Sequence, residues 1–306
     1  MILQTPRVSV VTIFCNAERF LEEAIASVLE QSFEDWELIL VDDGSKDRST
    51  EIAHEFTAQN PARIRYVDHP GHENRGMSAS RNHGVDQARG DWIALLDADD
   101  VWLPEKLEEQ LALLKEEPRA AMVYGRTLYW WEWAGTDSRR QDRIQSHGIS
   151  GNTLYEPPEL LRAYLRGRAA IPCTCSVLAR RGAVEEVGGF DDRFTGLYED
   201  QVFYAKMSAQ YAIFVAERWW DKYRQHQESA WQSADRAEER AARLVYLEWL
   251  ERYLSGGGWE DASLMRAVRM ERYRARLPIL GRTIKALRGL YGFRPRQLPV
   301  TTPRKK

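Results

Sequence analysis

The chain has 306 residues, of which 43% are hydrophobic and 29% are charged, and its formal net charge is −3. This composition is ordinary for a globular protein with one large core. No apolar run reaches the 18 residues of a membrane span, and the start of the sequence lacks the features of a signal peptide. Three cysteines are too few for a disulfide framework. We therefore expect a cytoplasmic protein.

Charge is distributed unevenly along the chain. Residues 266–306 contain thirteen lysines and arginines and one acidic residue, a local charge of +12, so the rest of the chain carries −15. A basic tail on an acidic body favours a separate partner for the tail. The acidic body argues against a nucleic-acid partner.

Strands and helices alternate through the first 129 residues. Runs of β-branched and apolar residues predict strands over residues 7–14, 36–41, 64–67, 91–96 and 120–129. Apolar spacing and capping signals predict helices over residues 17–31, 48–58, 78–87 and 104–116. This alternation is typical of βαβ units and predicts an α/β fold, with the carboxyl ends of parallel strands at one edge of the sheet.

The second half of the sequence is less regular. A long loop is predicted over residues 130–158, and loops of this length are usually lids or binding loops. The patterns that follow predict helices over residues 157–165, 199–209 and 230–254, strands over residues 174–178 and 212–216, a turn at residues 188–191, and a linker at residues 255–258.

Acidic residues stand at three points of this predicted fold. The motif Asp97-Ala98-Asp99 directly follows an apolar strand, the pair Asp42-Asp43 ends an earlier strand, and the pair Glu199-Asp200 opens a later helix. Open α/β sheets bind ligands at the carboxyl ends of their strands, and carboxylates suit Mg²⁺ or Mn²⁺ bridging to phosphates. The sequence therefore predicts a metal-bound nucleoside diphosphate, although each pair alone is also compatible with a helix cap or a solvated loop.

Three segments together resemble the inverting glycosyltransferases of family 2, which have the GT-A fold. They are VSVVTIFCNAERFLEEAIASVLEQSFEDWELILVDDGSKDRS, NRGMSASRNHG at residues 74–84, and LLDADD at residues 95–100. The resemblance covers roughly residues 7–226. It implies a Rossmann-like, mostly parallel sheet flanked by helices, a nucleotide-sugar donor that is usually a UDP-sugar, and Mn²⁺ or Mg²⁺.

The resemblance also places nucleotide contacts on particular residues of the first two strands. Thr12 and Phe14 match positions beside the base, and Glu18 matches a polar contact to the nucleotide. Asp43, with Asp42 beside it, matches an acceptor of hydrogen bonds from uracil or ribose. The open alternative for this acidic pair is a turn that caps the following helix.

Further positions match the diphosphate and metal contacts of the family. Arg81 matches a residue that pairs with the pyrophosphate or holds the base-binding acid, with an exposed helix arginine as the alternative. Asp97 and Ala98 match contacts to the ribose or, through water, to the metal, and Asp99 matches the direct metal ligand. His226 matches a late histidine that contacts the diphosphate or completes the metal shell, with a surface histidine as the alternative.

The pair Glu199-Asp200 matches the site of the catalytic base. Asp200 would take the proton of the acceptor hydroxyl, and Glu199 would bind the acceptor or orient the base. The alternative is that both acids simply favour the first turn of a helix. The Gln-x-x-Arg-Trp motif of processive members is incomplete, because Val215 stands at the Gln position before Arg218-Trp219, so transfer of a single sugar is expected. One of the three tryptophans Trp130, Trp131 and Trp133 is expected to face the acceptor.

We expect a catalytic domain over residues 1–228 and a helical, basic extension over residues 229–306. Residues 277–290 have a basic amphipathic pattern, which fits peripheral contact with the inner membrane, docking on the acidic catalytic domain, or a homodimer contact. The predicted function is transfer of one hexose-type sugar to a saccharide, lipid-linked or protein acceptor in cell-surface polysaccharide synthesis. The alternatives are a nucleotidyltransferase, which would need a glycine-rich basic loop after the first strand, and a catalytically inactive scaffold that binds sugars or nucleotides.

Overall fold

The computed structural model of the chain describes residues 5–135, 141–226, 235–257 and 261–276. The strands are β1 (Val8–Phe14), β2 (Trp36–Asp42), β3 (Ile64–Asp68), β4 (Trp92–Asp97), β5 (Val101–Trp102), β6 (Met122–Trp130), β7 (Arg143–Ile144), β8 (Thr153–Tyr155), β9 (Leu178–Arg180) and β10 (Ile213–Arg224). The α-helices are α1 (Leu21–Leu29), α2 (Ser49–Gln59), α3 (Met77–Asp86), α4 (Lys106–Glu116), α5 (Glu159–Leu165), α6 (Arg181–Glu186), α7 (Glu199–Gln210), α8 (Arg236–Gly256) and α9 (Ala262–Arg276).

Within these described ranges, the ten strands form a single sheet. Its main order is β3-β2-β1-β4-β9-β6-β10-β5. The first four strands are parallel, as the βαβ pattern predicts, and β6 and β10 are also parallel to each other. The short strand β9 runs antiparallel between β4 and β6. The sheet is therefore mixed: its long strands pair in parallel, and the short strands β5, β7, β8 and β9 pair antiparallel. The expected α/β fold is confirmed.

Helices cover both faces of the sheet because the strands bury apolar side chains on both sides. Val8 and Val10 of β1 belong to the core on the face that also holds α1 and α4, whereas Val11 and Ile13 belong to the opposite core with α3 and α7. Gly84 lets α3 approach the sheet closely, since a Cβ at this position would clash with a methyl group of Val11. This three-layer arrangement fixes the strand ends that carry the acidic residues.

The C-terminal helices α8 and α9 pack on helices α5 and α7 through a third apolar cluster. Leu247, Leu250 and Leu254 of α8 are fully buried against residues of α5 and α7. Arginines of α9 pair with acids of α8, including Arg269 with Glu251 and Arg276 with Glu248. Part of the basic excess of the tail is thus neutralised between these two helices.

Several predicted elements differ from the observed ones. Residues 174–176 form a 3₁₀ helix, and the strand predicted at 174–178 occurs instead at Leu178–Arg180. The strand predicted at 212–216 continues to Arg224, since β6 provides a partner along this length. The predicted long loop contributes β7 and β8, which pair with β6 and β10 and not with each other.

The C-terminal predictions are tested only in part. The long helix begins at Arg236, and the helical turn extends into the predicted linker as far as Gly256. The helix Ala262–Arg276 falls within the extension that was expected to be helical, although no separate helix was delimited there, and the amphipathic segment 277–290 lies outside the described residues. None of the described helices is both long enough and apolar enough to cross a membrane.

Candidate active site

A cleft of about 910 Å³ opens at the carboxyl ends of β1 and β4 and at the amino end of α7. It is lined by most of the residues that the sequence predicts for the site: Phe14, Asp43, Arg81, Asp97, Ala98, Asp99, Glu199, Asp200 and His226. At least one member of each acidic pair therefore lines this cavity, although the pairs are spread over more than 150 residues of sequence.

Three predicted nucleotide contacts do not line this cleft. Asp42 is fully buried on the other side of the strand end, where its carboxylate accepts hydrogen bonds from the Thr50 hydroxyl at 2.6 Å and the Ser45 amide at 2.8 Å. Glu18 is exposed and accepts a hydrogen bond from the Arg48 amide, and Thr12 is buried within β1. Successive residues of an extended chain face opposite sides, so of this pair only Asp43 reaches the cleft.

Asp43 organises the loop that leads into α3. Its carboxylate accepts hydrogen bonds from the backbone amides of Arg75 at 2.6 Å and Gly76 at 3.0 Å. Gly76 has a φ of 86°, a left-handed conformation that glycine adopts without strain. Asp43 thus fixes the loop before α3 while it borders the cavity.

Arg81 joins two of the acidic pairs. Its guanidinium lies 2.8 Å from Oδ1 of Asp97 and 2.6 Å from Oε1 of Glu199, and its side chain is almost completely buried. Burial raises the pKa of Glu199 to about 7, and the charge of Arg81 opposes this rise. The two ion pairs of Arg81 therefore hold Asp97 and Glu199 in position.

Asp99 and His226, the two residues that the resemblance matches to metal contacts, touch each other in the cleft. Nε2 of His226 lies 2.8 Å from Oδ2 of Asp99, and Nδ1 of His226 is buried with no hydrogen-bond partner among the described residues. In the described ranges, no group of three or more His, Cys, Asp or Glu side chains is arranged to hold a metal. A carboxylate and an imidazole are both possible ligands of a divalent cation, but these two side chains alone do not complete a coordination shell.

Arg224 fixes the backbone around Asp99, and no motif in the sequence indicates this role. Its Nε donates to the carbonyl of Asp99 at 2.7 Å, and its backbone amide donates to the Asp100 carboxylate at 3.0 Å. The guanidinium lies 4.5 Å from the ring centre of Trp130 and 5.1 Å from that of Trp133. Asp100 is buried beside this arginine. It does not cap the nearby helix α4, which begins without a side-chain cap.

Asp200 lies in the first turn of α7 and faces the cleft. The N-cap residue of this helix, Tyr198, has a φ of 72°, a strained conformation for a residue other than glycine. Burial raises the pKa of Asp200 to about 6, and the nearby positive charge of Arg81 partly offsets this effect. A carboxylate with a pKa near neutrality is suited to accept a proton.

Another part of the cleft lining comes from the end of β6 and the residues that follow it. Trp131, Arg143 and Gln145 line this wall, and Tyr129 lies beside them. Trp131 is thus the member of the tryptophan cluster that borders the cleft, whereas Trp130 and Trp133 stack on Arg224. Arg143 was not predicted, because a single arginine in an irregular segment gives no pattern.

Comparison with known proteins agrees with this architecture. The family model of glycosyl transferase family 2 matches residues 9–188. A putative glycosyltransferase, EpsE of Bacillus subtilis, is 37% identical over 144 residues, which are 47% of this chain and 51% of that protein. The putative teichuronic acid biosynthesis glycosyltransferase TuaG of the same organism is 36% identical over 40% of this chain and 48% of its own length. The matches thus span about half the length of these curated relatives.

Solved structures show the same fold. The crystal structure of S. aureus TarS 1-349 in complex with UDP-GlcNAc aligns with a TM-score of 0.66 and 20% identity, covering 88% of this chain and 72% of that chain. The mannosyltransferase PcManGT from Pyrobaculum calidifontis, in complex with GDP-Man and Mn²⁺, aligns with a TM-score of 0.53 and 16% identity, covering 93% and 81%. At these identities the likeness concerns the fold.

Proposed function

Because this chain belongs to glycosyltransferase family 2, we propose that it transfers a single sugar from a nucleotide-diphosphate donor, with inversion at the anomeric carbon. The observation that carries the proposal is the meeting of Asp43, Asp99 and Asp200 in one cleft. These residues would serve the nucleotide, the diphosphate and the acceptor respectively. The structural neighbour TarS binds UDP-GlcNAc, which supports a UDP-sugar as the donor.

Asp200 is the proposed catalytic base. Its carboxylate would take the proton of the acceptor hydroxyl while that oxygen forms a bond to the anomeric carbon. The bond from the anomeric carbon to the diphosphate breaks on the opposite face, and the nucleoside diphosphate leaves with the bonding electron pair. Glu199 and Asp97, both held by Arg81, would keep the surrounding geometry fixed.

Asp99 and His226 are the proposed ligands of a divalent cation. A cation bound there would stabilise the negative charge that develops on the departing diphosphate. His226 packs against Phe20 at 5.1 Å between ring centres, and Arg224 holds the Asp99 carbonyl. These contacts with Phe20 and Arg224 restrict the positions that His226 and Asp99 adopt.

A thermal-shift panel tests this proposal directly. Purified protein is heated with UDP, GDP and their sugar derivatives, with and without Mn²⁺, and the same panel is run on Asp99→Ala. A ligand that binds the folded state raises the melting temperature. We expect a rise with UDP or one UDP-sugar that requires Mn²⁺ and disappears in Asp99→Ala. No rise with any nucleotide would favour the scaffold alternative.

Setting and acceptor follow from the same proposal. The name of the relative TuaG links it to teichuronic acid biosynthesis, which supports cell-surface polysaccharide synthesis as the setting for this chain. A saccharide or lipid-linked acceptor fits that setting. The domain boundary near residue 228 and contact of the tail with a membrane surface remain parts of the proposal.

A further inference from the structure

Two arginines of the described ranges line the cleft, and they differ in how their charge is used. Arg81 is buried between Asp97 and Glu199. Arg143 has no ion-pair partner in the part of the chain that the structure describes, and its guanidinium contacts the ring of Tyr129. Among the described residues, one positive charge of the cleft is therefore compensated by acidic side chains, and the other is not.

The backbone holds Arg143 at a defined place. Strand β7 pairs antiparallel with β6, and this register sets Arg143 opposite Tyr129. The guanidinium carbon lies 5.4 Å from the centre of the Tyr129 ring, which in turn packs edge-on against Tyr223. An aromatic ring orients a guanidinium without neutralising it, so the side chain keeps its charge for a ligand.

Acidic groups around Arg143 have other partners. The carboxylate of its neighbour Asp142 accepts hydrogen bonds from the backbone amides of Trp131 at 2.8 Å and Glu132 at 3.0 Å. Elsewhere in the cleft lining, Asp99 lies against His226, and Asp100 accepts a hydrogen bond from the Arg224 amide. Carboxylates of the cleft repel an anionic ligand, so an uncompensated arginine among them provides the attraction that such a ligand needs.

The position of Arg143 separates it from the proposed nucleotide wall. Phe14 and Asp43 follow β1 and β2, whereas Arg143 belongs with Trp131 and Gln145 to the wall built after β6. The planar guanidinium matches the two oxygens of a carboxylate or phosphate, and such paired hydrogen bonds are strong and directional. We propose that Arg143 binds an acidic group, phosphate or carboxylate, on the acceptor, an inference that rests on the proposed sugar transfer.

Ligand-observed NMR on protein saturated with UDP and Mg²⁺ tests this subsite. The probes are two matched pairs: sn-glycerol 3-phosphate with glycerol, and D-glucuronate with D-glucose. We expect at least one acidic probe to bind the UDP-loaded protein while its neutral partner does not. The pair that responds identifies phosphate or carboxylate as the preferred group. In Arg143→Gln, the affinity for that probe is expected to fall by roughly tenfold or more.

Two variants make the result specific. Arg143→Lys keeps the charge but not the planar fork, and is expected to bind the probe with intermediate affinity. Arg126→Gln is the matched control, because Arg126 lies on the neighbouring strand β6 but pairs with Glu217 and does not line the cleft. Unchanged probe binding in Arg143→Gln, equal binding of acidic and neutral probes, or no binding of any probe would overturn the inference.

Competition between UDP and the acidic probe would also overturn it, because Arg143 would then serve the donor diphosphate. UDP binding is measured in the same samples, so the two proposals fail separately. Wild-type protein that does not bind UDP contradicts the proposed function. Protein that binds UDP but shows no acidic subsite contradicts only the assignment of Arg143.

Discussion

At the residue scale, the same side-chain chemistry acquires different roles from different surroundings. Asp42 and Asp43 are adjacent, yet one is enclosed by Ser45 and Thr50 and the other borders the cleft. Glu199 and Asp200 are also adjacent, but Arg81 holds Glu199 directly. Both acids line the cleft and burial raises the pKa of both, so the ion pair of Glu199 with Arg81 is what distinguishes Asp200 as the proposed base.

The pH dependence of transfer should report the ionisation of Asp200. A base acts only when deprotonated, so kcat/KM is expected to fall about tenfold per pH unit below a pKa of about 6. Asp200→Asn should reduce kcat by roughly 10²- to 10⁴-fold and abolish this limb of the profile. Initial rates measured from pH 4.5 to 8 check both statements.

The stability of Asp200→Asn provides the control for that experiment. The pKa of Asp200 is higher in the folded protein than its ordinary value of 3.8, so folding favours the protonated form. The free energy of unfolding therefore decreases as the pH rises from 3.8 to about 6, because the folded protein resists ionisation of this carboxyl group. Asp200→Asn should melt at the same or a higher temperature at pH 7 and should still bind the donor. A lower melting temperature would assign Asp200 a structural role instead.

A second prediction concerns Arg224 as a positioning residue. Arg224→Gln removes the hydrogen bond from its Nε to the carbonyl of Asp99. Loss of such support around a metal ligand typically weakens metal binding by roughly 10- to 100-fold. Electron paramagnetic resonance of free Mn²⁺, titrated against protein with UDP, measures this affinity.

Arg218 provides the matched control for Arg224, since it lies on the same strand but pairs with Glu109 near the surface. Arg218→Gln should bind Mn²⁺ like the wild type. If Arg224→Gln folds poorly, Arg224→Lys keeps the charge under Trp130 and still loses the planar donor. Wild-type Mn²⁺ affinity in folded Arg224 variants would contradict the assigned role.

At the scale of elements, helix α8 supports the amino end of α7. Tyr246 of α8 stacks on Tyr198 with ring centres 5.4 Å apart, directly before the pair Glu199-Asp200. Trp249 of α8 donates a hydrogen bond to Asp191 at 2.9 Å. The extension therefore contributes to the placement of the proposed base, although its sequence lies outside the matched family region.

Leu250→Ala tests whether this packing is part of the catalytic fold. Leu250 is fully buried between helices, and truncation of such a leucine usually costs roughly 2–5 kcal/mol of the free energy of unfolding. Urea denaturation is expected to show one transition at a lower midpoint. Val245→Ala on the same helix is the control, since Val245 is 53% exposed and should change stability little. Two separate transitions would instead support an independent domain after residue 228.

At the scale of the whole molecule, charge separates the acidic body from the basic tail. In the described part, arginines of α9 already pair with acids of α8, such as Arg269 with Glu251. The basic residues of the tail that follow α9 lie in residues 277–306, outside the described ranges. The expectation of a separate partner for the tail therefore rests on these residues.

Deletion of residues 277–306 tests the partner of the tail. We expect the full chain, but not the shortened chain, to sediment with phosphatidylglycerol vesicles at low salt, because basic residues are attracted to anionic lipid headgroups. Donor binding should be equal in both. A full chain that stays in the supernatant would favour docking on the catalytic body or a dimer, and measurement of the molar mass distinguishes these two.

The sequence by itself determined the α/β class, the alternation of parallel strands with crossover helices, and the acidic residues at the strand ends. These features depend on local periodicity and on short motifs, which are readable without knowledge of long-range contacts. It also determined the family resemblance, because each of the motifs near Asp43, Arg81 and Asp99 is a short unbroken segment of the sequence.

Only the tertiary structure decided which of these side chains share the cleft. Thr12, Glu18 and Asp42 match the motif as well as Asp43 does, yet they lie outside the cleft lining. The partnership of Arg224 with Asp99 joins residues 125 positions apart, and no periodicity encodes such a contact. Arg143 is significant for a similar reason: its charge matters because the folded chain places it in an acidic cleft and gives the surrounding acids other partners.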